Sequence, residues 1–287
     1  MTRIVAPAST ANLGPGFDAA AAALDLWNEL TFEAGPFAVE VEGEGADELP
    51  RDETHLALRA FSLFASPKTY RFRFVNRIPL ERGLGSSAAA IAVGLHAGAV
   101  AAGRSLPPNE LLVLGAELEG HADNLAAVLY GGVCLAWRRD GKPHAQRIAT
   151  DMPVAAVLAV PGSRTSTASS RNGLPHTVKH ADAAANAGAA ALLGAAIVAG
   201  DAELLRDAFN DRLHEPYRLD SAPLLRNLRA HAPAGAVGVT LSGSGPSVVV
   251  WADKRRVAEV AAALEHSLPD DTRVLPLGVT PEGAHTA

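Results

Sequence analysis

The segment RGLGSSAAA, residues 82–90, sets two glycines and two serines against the start of a predicted helix. The helix is predicted over 86–102 because AIAVGLHAGAVAA continues the run of small and apolar residues. N–H groups at a helix N-terminus have no partners within the helix and carry partial positive charge, so they can bind an anion without any basic side chain. Gly83 and Gly85 would let the backbone approach such a ligand. The alternative is a capped helix after a tight turn.

Two further glycine loops occur in the chain. STANLGPGFD, Ser9–Asp18, contains a formal GxGxxA pattern, but Pro15 lies between its glycines and Pro7 breaks the short preceding strand, so it is a weak dinucleotide signature. LSGSGPS, Leu241–Ser247, taken alone predicts a hairpin turn. The sequence has neither a GxxxxGK[ST] loop nor a GxSxG elbow. Three glycine loops in one chain favour a built site for an anionic ligand.

A polar cluster follows a predicted helix in ELEGHADN, Glu117–Asn124. Two or three carboxylates, an imidazole and an amide within eight residues can bind Mg²⁺ together with a polar substrate, since Mg²⁺ prefers one or two carboxylates and phosphate oxygens. The alternative is an ordinary polar helix C-terminus. Cys134 lies among small and apolar strand residues, which predicts a core position.

The order of predicted elements is mixed α+β, and the composition changes near residue 150. We therefore predict two domains, 1–150 and 151–287. Strands predicted at residues 3–6 and 24–44 favour a hairpin or meander, and the polar stretch PGSRTSTASSRNGLP is predicted as a loop. An alanine-rich helix, DAAANAGAAALLGAAIVAG, is predicted in the second half.

Composition limits the function classes. A chain of 287 residues with 48% apolar and 20% charged residues is typical of a folded globular protein, and its length suggests two domains. A net charge of −6 argues against nucleic acid as the main partner. The sequence offers no uninterrupted apolar span of about 18 residues and no signal-peptide pattern, so we expect no membrane partner and a cytoplasmic location.

The phosphate loop PLERGLGSSAAA and the glycine loop LSGSGPS resemble the signatures of the GHMP kinases. APASTANLGPGFD, RDETHL, EGHADN, STASSR and HEPYR follow in the order seen in the branch of that family that phosphorylates L-homoserine. The similarity runs from about Ala6 to Val250, and the order of the motifs carries it rather than any single motif.

The resemblance implies an N-terminal domain like ribosomal protein S5, a C-terminal ferredoxin-like domain, and ATP and substrate in the cleft between them. It implies transfer of the γ-phosphoryl group of ATP to the hydroxyl of L-homoserine, with Mg²⁺ as cofactor. It places ATP against Pro79, Arg82, Gly83, Leu84, Gly85, Ser86, Ser87, Ala88 and Ala89, and Mg²⁺ on Ser87 and Glu119. It places the amino acid among Asn12, Asp18, His121, Asp123, Asn124, Thr167, Arg171, Arg218, Gly243 and Gly245. Ser87, Glu119, Asn124 and Arg171 would serve catalysis.

Several alternatives stay open at this stage. Another kinase of the family, acting on mevalonate or a sugar, and a ligand sensor without catalysis both share these loops. HEPYR and STASSR argue against the first, and the intact Ser87, Glu119 and Asp18 argue against the second. Glu117 is the alternative metal ligand, no general base is assigned, and the sequence allows a homodimer.

Overall fold

The computed structural model of the chain describes residues 1–165 and 167–287, with the side chains of 167–169 outside that description. Two sheets carry the helices. The strands are β1 Thr2–Ala11, β2 Ala20–Ala34, β3 Ala38–Gly43, β4 Tyr70–Asn76, β5 Val133–Arg139, β6 Lys142–Ala149, β7 Ala155–Val160, β8 Ala236–Leu241, β9 Val248–Ala252, β10 Arg273–Leu277 and β11 His285–Thr286. The α-helices are α1 Leu56–Phe61, α2 Ser86–Ala101, α3 Pro108–Glu119, α4 Asp123–Tyr130, α5 Thr167–Asn172, α6 His180–Ala199, α7 Ala202–Ala208, α8 Glu215–Arg218, α9 Pro223–Ala230 and α10 Val257–Ser267.

The first sheet has the order β11-β1-β2-β4-β3, and the β5–β6 hairpin joins it along β2. β1 and β2 are antiparallel neighbours, as the meander prediction required. The prediction was wrong for β3, which lies beyond β4 and runs parallel to it. The reason is the connection after β3: parallel strands need a crossover, and the segment containing α1 supplies one.

The second sheet has the antiparallel order β10-β7-β9-β8. Numbered along the chain within this domain, that order is 4-1-3-2, the arrangement of a ferredoxin-like domain, with helices between its first and second strands and between its third and fourth. The predicted fold class is therefore confirmed. Alternate residues of β9 face opposite cores: Val248 and Val250 belong to one buried cluster, Val249 and Trp251 to the other.

The larger core joins the two halves of the molecule. It contains residues of the first sheet, such as Ile4 and Leu30, together with Leu158 and Trp251 of the second. The C-terminal β11 pairs with β1, which also returns the end of the chain to the first sheet. Because the two sheets share packed side chains, the loops between them are held at a fixed spacing. The domain boundary near residue 150 stays a prediction.

Helix α6 is, among the described helices, the one long and apolar enough by composition to cross a membrane. Length and composition alone are weak evidence, and the hydrogen bonds of Asn186 locate the helix within the fold. The Asn186 amide donates to the Pro15 carbonyl at 2.9 Å and accepts from the Arg212 N–H at 2.9 Å. Buried Leu193 and Ile197 pack its inner face against the core.

Four helices were not predicted, namely α4, α5, α8 and α9, and the first three contribute residues to the site. The polar stretch predicted as a loop contains α5, and α4 begins at Asp123 within the cluster assigned to a helix end. Both are short, with six and eight residues, so periodicity gives little signal for them.

Glycines allow α2 to approach α1 closely, so we predict opposite effects of alanine at two helical glycines. A Cβ on Gly94 would lie 2.1 Å from the Ala57 carbonyl oxygen, whereas a Cβ on Gly188 of α6 would meet nothing within 4 Å. Gly94→Ala should lower the free energy of unfolding by about 1–3 kcal/mol through overpacking. Gly188→Ala should raise it by about 0.5–1 kcal/mol, because alanine is the better helix former. Urea unfolding measures both, and equal effects at the two positions would contradict the packing argument.

Candidate active site

Four connections meet at the N-terminus of α2: the β1–β2 loop, the loop before α2, the α3–α4 junction and the β8–β9 loop. They enclose a cleft of ≈ 220 Å³. Most residues predicted to bind ATP or substrate line it, namely Asn12, Asp18, Pro79, Arg82, Gly83, Leu84, Gly85, Ser86, Ser87, Glu119, His121, Asp123, Asn124, Arg171, Arg218 and Gly243. The side chains of Ala88 and Ala89 face the core instead, and Gly245 lies behind the lining. The side chain of Thr167 lies outside the described residues.

The glycines of the loop before α2 are required by the protein's own packing. Gly85 adopts a left-handed conformation with φ +68°, and a Cβ there would lie 2.0 Å from Ser9 Oγ. A Cβ on Gly83, with φ +72°, would lie 2.1 Å from the Ser242 carbonyl oxygen. The loop is therefore locked between β1 and the β8–β9 loop. No described side chain caps α2, which leaves its first N–H groups directed at the cleft.

Ser87 and Glu119 meet across the cleft. The Ser87 hydroxyl donates to Glu119 Oε2 at 2.6 Å, joining the first turn of α2 to the end of α3. Burial raises the pKa of the Glu119 carboxyl, against the lowering effect of the Ser87 hydrogen bond. Glu117 is exposed on the opposite side of α3. Of the two glutamates considered from the sequence, Glu119 is the one that faces the cleft.

A second buried carboxyl, Asp123, starts α4 beside Glu119. Burial raises its pKa, and its Oδ1 accepts the Asn124 N–H at 2.8 Å. His121 Nδ1 lies 3.9 Å from both Glu119 Oε1 and Asp123 Oδ1. Asn124 Oδ1 accepts a 2.8 Å hydrogen bond from the Ser9 hydroxyl. These groups form a negatively charged wall on one side of the cleft.

Asn12 and Arg82 line the cleft, but their polar groups are hydrogen-bonded to the protein itself. The Asn12 amide donates to the Gly243 carbonyl at 2.9 Å and accepts from the Asp18 N–H at 3.1 Å, so it ties two loops together. The Arg82 guanidinium donates to the carbonyls of Pro161, Leu80 and Gly162 at 2.8–2.9 Å. Both side chains hold the shape of the site.

Asp18 and Arg171 form a bidentate ion pair across the cleft, with both N–O distances 2.8 Å. The hydrogen bonds that Arg171 donates to Asp18 raise the pKa of Arg171. The two side chains remain 40% and 44% exposed, so the pair is accessible to a ligand. An exposed ion pair of this kind is worth about 1 kcal/mol or less, because water competes for both charges.

Arg218 is a buried cation, 4% exposed, with no carboxylate within 4.0 Å among the described residues. Its Nη1 donates to His214 Nδ1 at 2.9 Å and approaches the Gly243 carbonyl at 3.4 Å, and its Nε has no partner in the described part of the chain. Burial lowers the pKa of Arg218 and the charge of Arg171 adds to that lowering, whereas the more distant carboxylates of Asp18, Asp211 and Glu215 act in the opposite direction. A buried cation with no direct ion pair favours an anionic ligand.

A second cavity of ≈ 310 Å³ lies on the other side of the α2 N-terminus and shares Glu81, Ser86 and Ser87 with the cleft. Its walls are mostly apolar and come from Leu49, Leu56, Phe74, Leu80, Ala90 and Val93. The sequence did not indicate this cavity, because its apolar wall residues come from separate segments, apart from Ala90 and Val93 of α2, and look like ordinary core residues. Phe17 and Thr165 of the cleft were also missed.

Comparison with known proteins identifies the class. Family models described as "GHMP kinases N terminal domain" and "GHMP kinases C terminal" match residues 54–132 and 183–270. The chain therefore has both halves of a GHMP kinase.

Full-length relatives narrow the assignment. A homoserine kinase from Streptomyces coelicolor is 40% identical, covering 98% of this chain and 93% of the relative, and one from Gloeobacter violaceus is 40% identical with 96% of each chain covered. The crystal structure of a homoserine kinase from Cytophaga hutchinsonii superposes with a TM-score of 0.87 at 25% identity, over 100% of this chain and 97% of the other. A mevalonate kinase, at 16% identity and a TM-score of 0.72, shares the fold. The chain belongs to the homoserine kinase branch of the GHMP kinase family.

The buried Asp123 carboxyl generates a prediction about stability. The Asp123 carboxyl ionises at a higher pH in the folded chain than in the unfolded chain, because its folded-state pKa is raised. As the pH rises above ~4, the unfolded state releases this proton first, so the free energy of unfolding decreases. Asp123→Asn removes that penalty, so its urea midpoint at pH 7 should exceed that of the wild type, with the difference shrinking toward pH 4. Asp140→Asn, in an exposed turn, is the matched control and should give no such pH-dependent gap. A lower midpoint for Asp123→Asn at pH 7 would refute the argument.

Proposed function

We propose that this chain transfers the γ-phosphoryl group of ATP to the side-chain hydroxyl of L-homoserine, giving ADP and O-phospho-L-homoserine on the route to threonine. The P–O bond to ADP breaks, a P–O bond to the hydroxyl oxygen forms, and the hydroxyl proton is released. The observation that carries the proposal is the placement of an aspartate and a buried arginine in one cleft beside a helix N-terminus: Asp18, Arg218 and α2.

The phosphates of ATP would lie at the N-terminus of α2. Backbone N–H groups and the Ser86 and Ser87 hydroxyls face that point, and the helix dipole favours negative charge there. We place the adenine ring in the adjoining apolar cavity, because a flat heteroaromatic ring fits apolar walls. The two cavities adjoin at the loop before α2, where only a few residues lie between them.

Mg²⁺ would be held by Ser87 and Glu119. A hydroxyl and a buried carboxylate 2.6 Å apart are the hard oxygen ligands that this ion prefers, and no lysine or arginine of the described residues forms an ion pair with the carboxylate. The described residues offer no cluster of three or more such side chains that would hold a metal alone, which suits an ion carried by nucleotide phosphates. When bound, Mg²⁺ would supply charge neutralisation on the phosphates.

The amino acid would lie between the negative charge of Asp18 and the positive charges of Arg171 and Arg218. Asp18 would take the ammonium group, and Arg171 and Arg218 would take the carboxylate in forked hydrogen bonds. We keep His121, Asp123, Asn124, Thr167 and the loop glycines Gly243 and Gly245 as its predicted neighbours. Phosphoryl transfer depends mainly on positioning and charge stabilisation, so we assign no general base.

The test is release of ADP from ATP and Mg²⁺ with L-homoserine, mevalonate or galactose as separate acceptors, with the phosphorylated product identified by ³¹P NMR. We expect turnover with homoserine and a homoserine kcat/KM far above that of the other two. Turnover with mevalonate or galactose and none with homoserine would assign a different kinase. Nucleotide binding without turnover on any acceptor would assign a ligand sensor.

The cytoplasmic location, the absence of a membrane partner and a homodimer remain predictions. Light scattering of the purified chain measures its mass in solution and tests the dimer.

The metal assignment generates a prediction with a matched control two residues away, on the opposite side of α3. Glu119→Gln should lower kcat by about 100-fold or more, because an amide is a much weaker Mg²⁺ ligand than a carboxylate, while the homoserine KM changes by less than about 3-fold. Glu117→Gln makes the same chemical change at an exposed position and should retain wild-type kcat. If Glu117→Gln were the inactive variant and Glu119→Gln the normal one, the metal assignment would be wrong.

A further inference from the structure

Two guanidinium groups lie over one aromatic ring in the cleft. The Cζ atoms of Arg171 and Arg218 are each 5.7 Å from the centroid of Phe17, a partly buried residue next to Asp18. Both distances are within the ~6 Å range of a cation–π contact. Phe17 belongs to the β1–β2 loop, whereas the arginines come from α5 and α8. One ring of the first domain thus contacts two cations of the second.

The two cations need such a contact because they repel each other. The nearby positive charge of Arg171 contributes to the lowered pKa of Arg218. Asp18 compensates Arg171, but no described carboxylate lies within 4.0 Å of Arg218. The negative face of an aromatic ring attracts both guanidinium groups without forming an ion pair with either. The ring therefore keeps the groups close without using any of their hydrogen-bond donors.

The position of the ring is fixed by His214. The His214 imidazole stacks on Phe17 with a centroid distance of 5.0 Å and an interplanar angle of 22°. Its Nε2 lies 2.9 Å from the Gly14 carbonyl, which can only accept, so Nε2 carries the proton and Nδ1 accepts from Arg218 at 2.9 Å. His214 is fully buried. His214 therefore holds the Phe17 ring by stacking and the Arg218 guanidinium by a hydrogen bond.

Binding of a zwitterion requires Arg171 to change partners. In the free protein Arg171 occupies both oxygens of Asp18, the group that would receive the substrate ammonium. When the ammonium takes Asp18, Arg171 is released toward the carboxylate. The contact between Arg171 and Phe17 involves neither Asp18 nor the substrate, so it persists through the exchange and limits how far the guanidinium moves.

We propose that Phe17 is a positioning residue that determines substrate specificity: its ring holds Arg171 and Arg218 side by side as a single site for the α-carboxylate of the substrate. The inference rests on the proposed function, and it assigns to an uncharged side chain the selection of acceptors that carry an α-carboxylate.

The test compares two acceptors in wild type and variants. The acceptors are L-homoserine and its analogue with a hydroxymethyl group in place of the α-carboxylate, and the readout is the ratio of their kcat/KM values. Phe17→Leu and Phe17→Met remove the ring but keep apolar volume, and Phe17→Tyr keeps the ring. Phe209→Leu is the control, since Phe209 packs beside Gly14 and stacks on Trp251 without contacting either arginine.

We expect Phe17→Leu and Phe17→Met to lower the homoserine kcat/KM by about 5- to 30-fold, the factor of two cation–π contacts, mainly through KM. The analogue should lose less than about 2-fold, because it makes no ion pair with the arginines. Phe17→Tyr should keep the wild-type ratio, as should Phe209→Leu. The KM for ATP should be unchanged throughout.

The outcomes separate this inference from the proposed function. A wild-type protein that does not phosphorylate homoserine overturns the proposed function, whatever the variants do. An active wild type with equal losses on both acceptors in the ring-free variants, or with no loss, overturns the role of Phe17 alone. Urea unfolding of each variant identifies losses that come from instability, and if Phe17→Leu does not fold, Phe17→Met and Phe17→Tyr carry the comparison.

Discussion

The interlock of Ser242 with the loop before α2 holds the site together. Ser242 Oγ donates to the Gly83 carbonyl at 2.7 Å and lies 2.9 Å from Thr10 Oγ1, and its carbonyl oxygen occupies the space that a Cβ on Gly83 would need. Two loops and the end of β1, all distant in sequence, therefore meet at one serine, which is fully buried. Because any residue but glycine at 83 would push the β8–β9 loop away, the loop before α2 and the β8–β9 loop are fixed by the same contact.

The sequence predicted the residues of the site better than it predicted their contacts. RGLGSSAAA, ELEGHADN and LSGSGPS meet in one cleft, as three glycine loops and a carboxylate cluster suggested. The reason for the glycines was different, since Ser9 and Ser242 of the protein itself fill the space beside Gly85 and Gly83. Asn12 and Arg82 bind backbone carbonyls rather than facing a ligand freely. Such contacts join residues more than 70 positions apart, and local pattern carries no information about them.

The fold was predictable in class and partly in topology. The alternation of apolar and polar residues indicated strands in the 24–44 region, but the placement of β3 depended on a crossover through α1, and strand order is set by tertiary packing rather than by periodicity. The cavity beside α2 could not be predicted, because its six apolar wall residues come from five segments that share no motif. Apolar residues that line a cavity and apolar residues that fill a core have the same sequence pattern.

The free site carries charges that a ligand would balance. Glu119 and Asp123 are buried with raised pKa values, Arg218 is buried without a counter-ion among the described residues, and Asp18 and Arg171 neutralise each other. A zwitterion can replace the Asp18–Arg171 ion pair by two others, one between its ammonium group and Asp18 and one between its carboxylate and Arg171. The same carboxylate supplies an anion for Arg218. An acid without an ammonium group would take Arg171 from Asp18 and leave that carboxylate unpaired. Because Asp18 is 40% exposed, water takes over part of the lost interaction, so the unpaired carboxylate costs about 1 kcal/mol or less, or up to about 5-fold in affinity. The partner exchange itself therefore contributes a preference for an amino acid, without any contact shaped to the rest of the substrate.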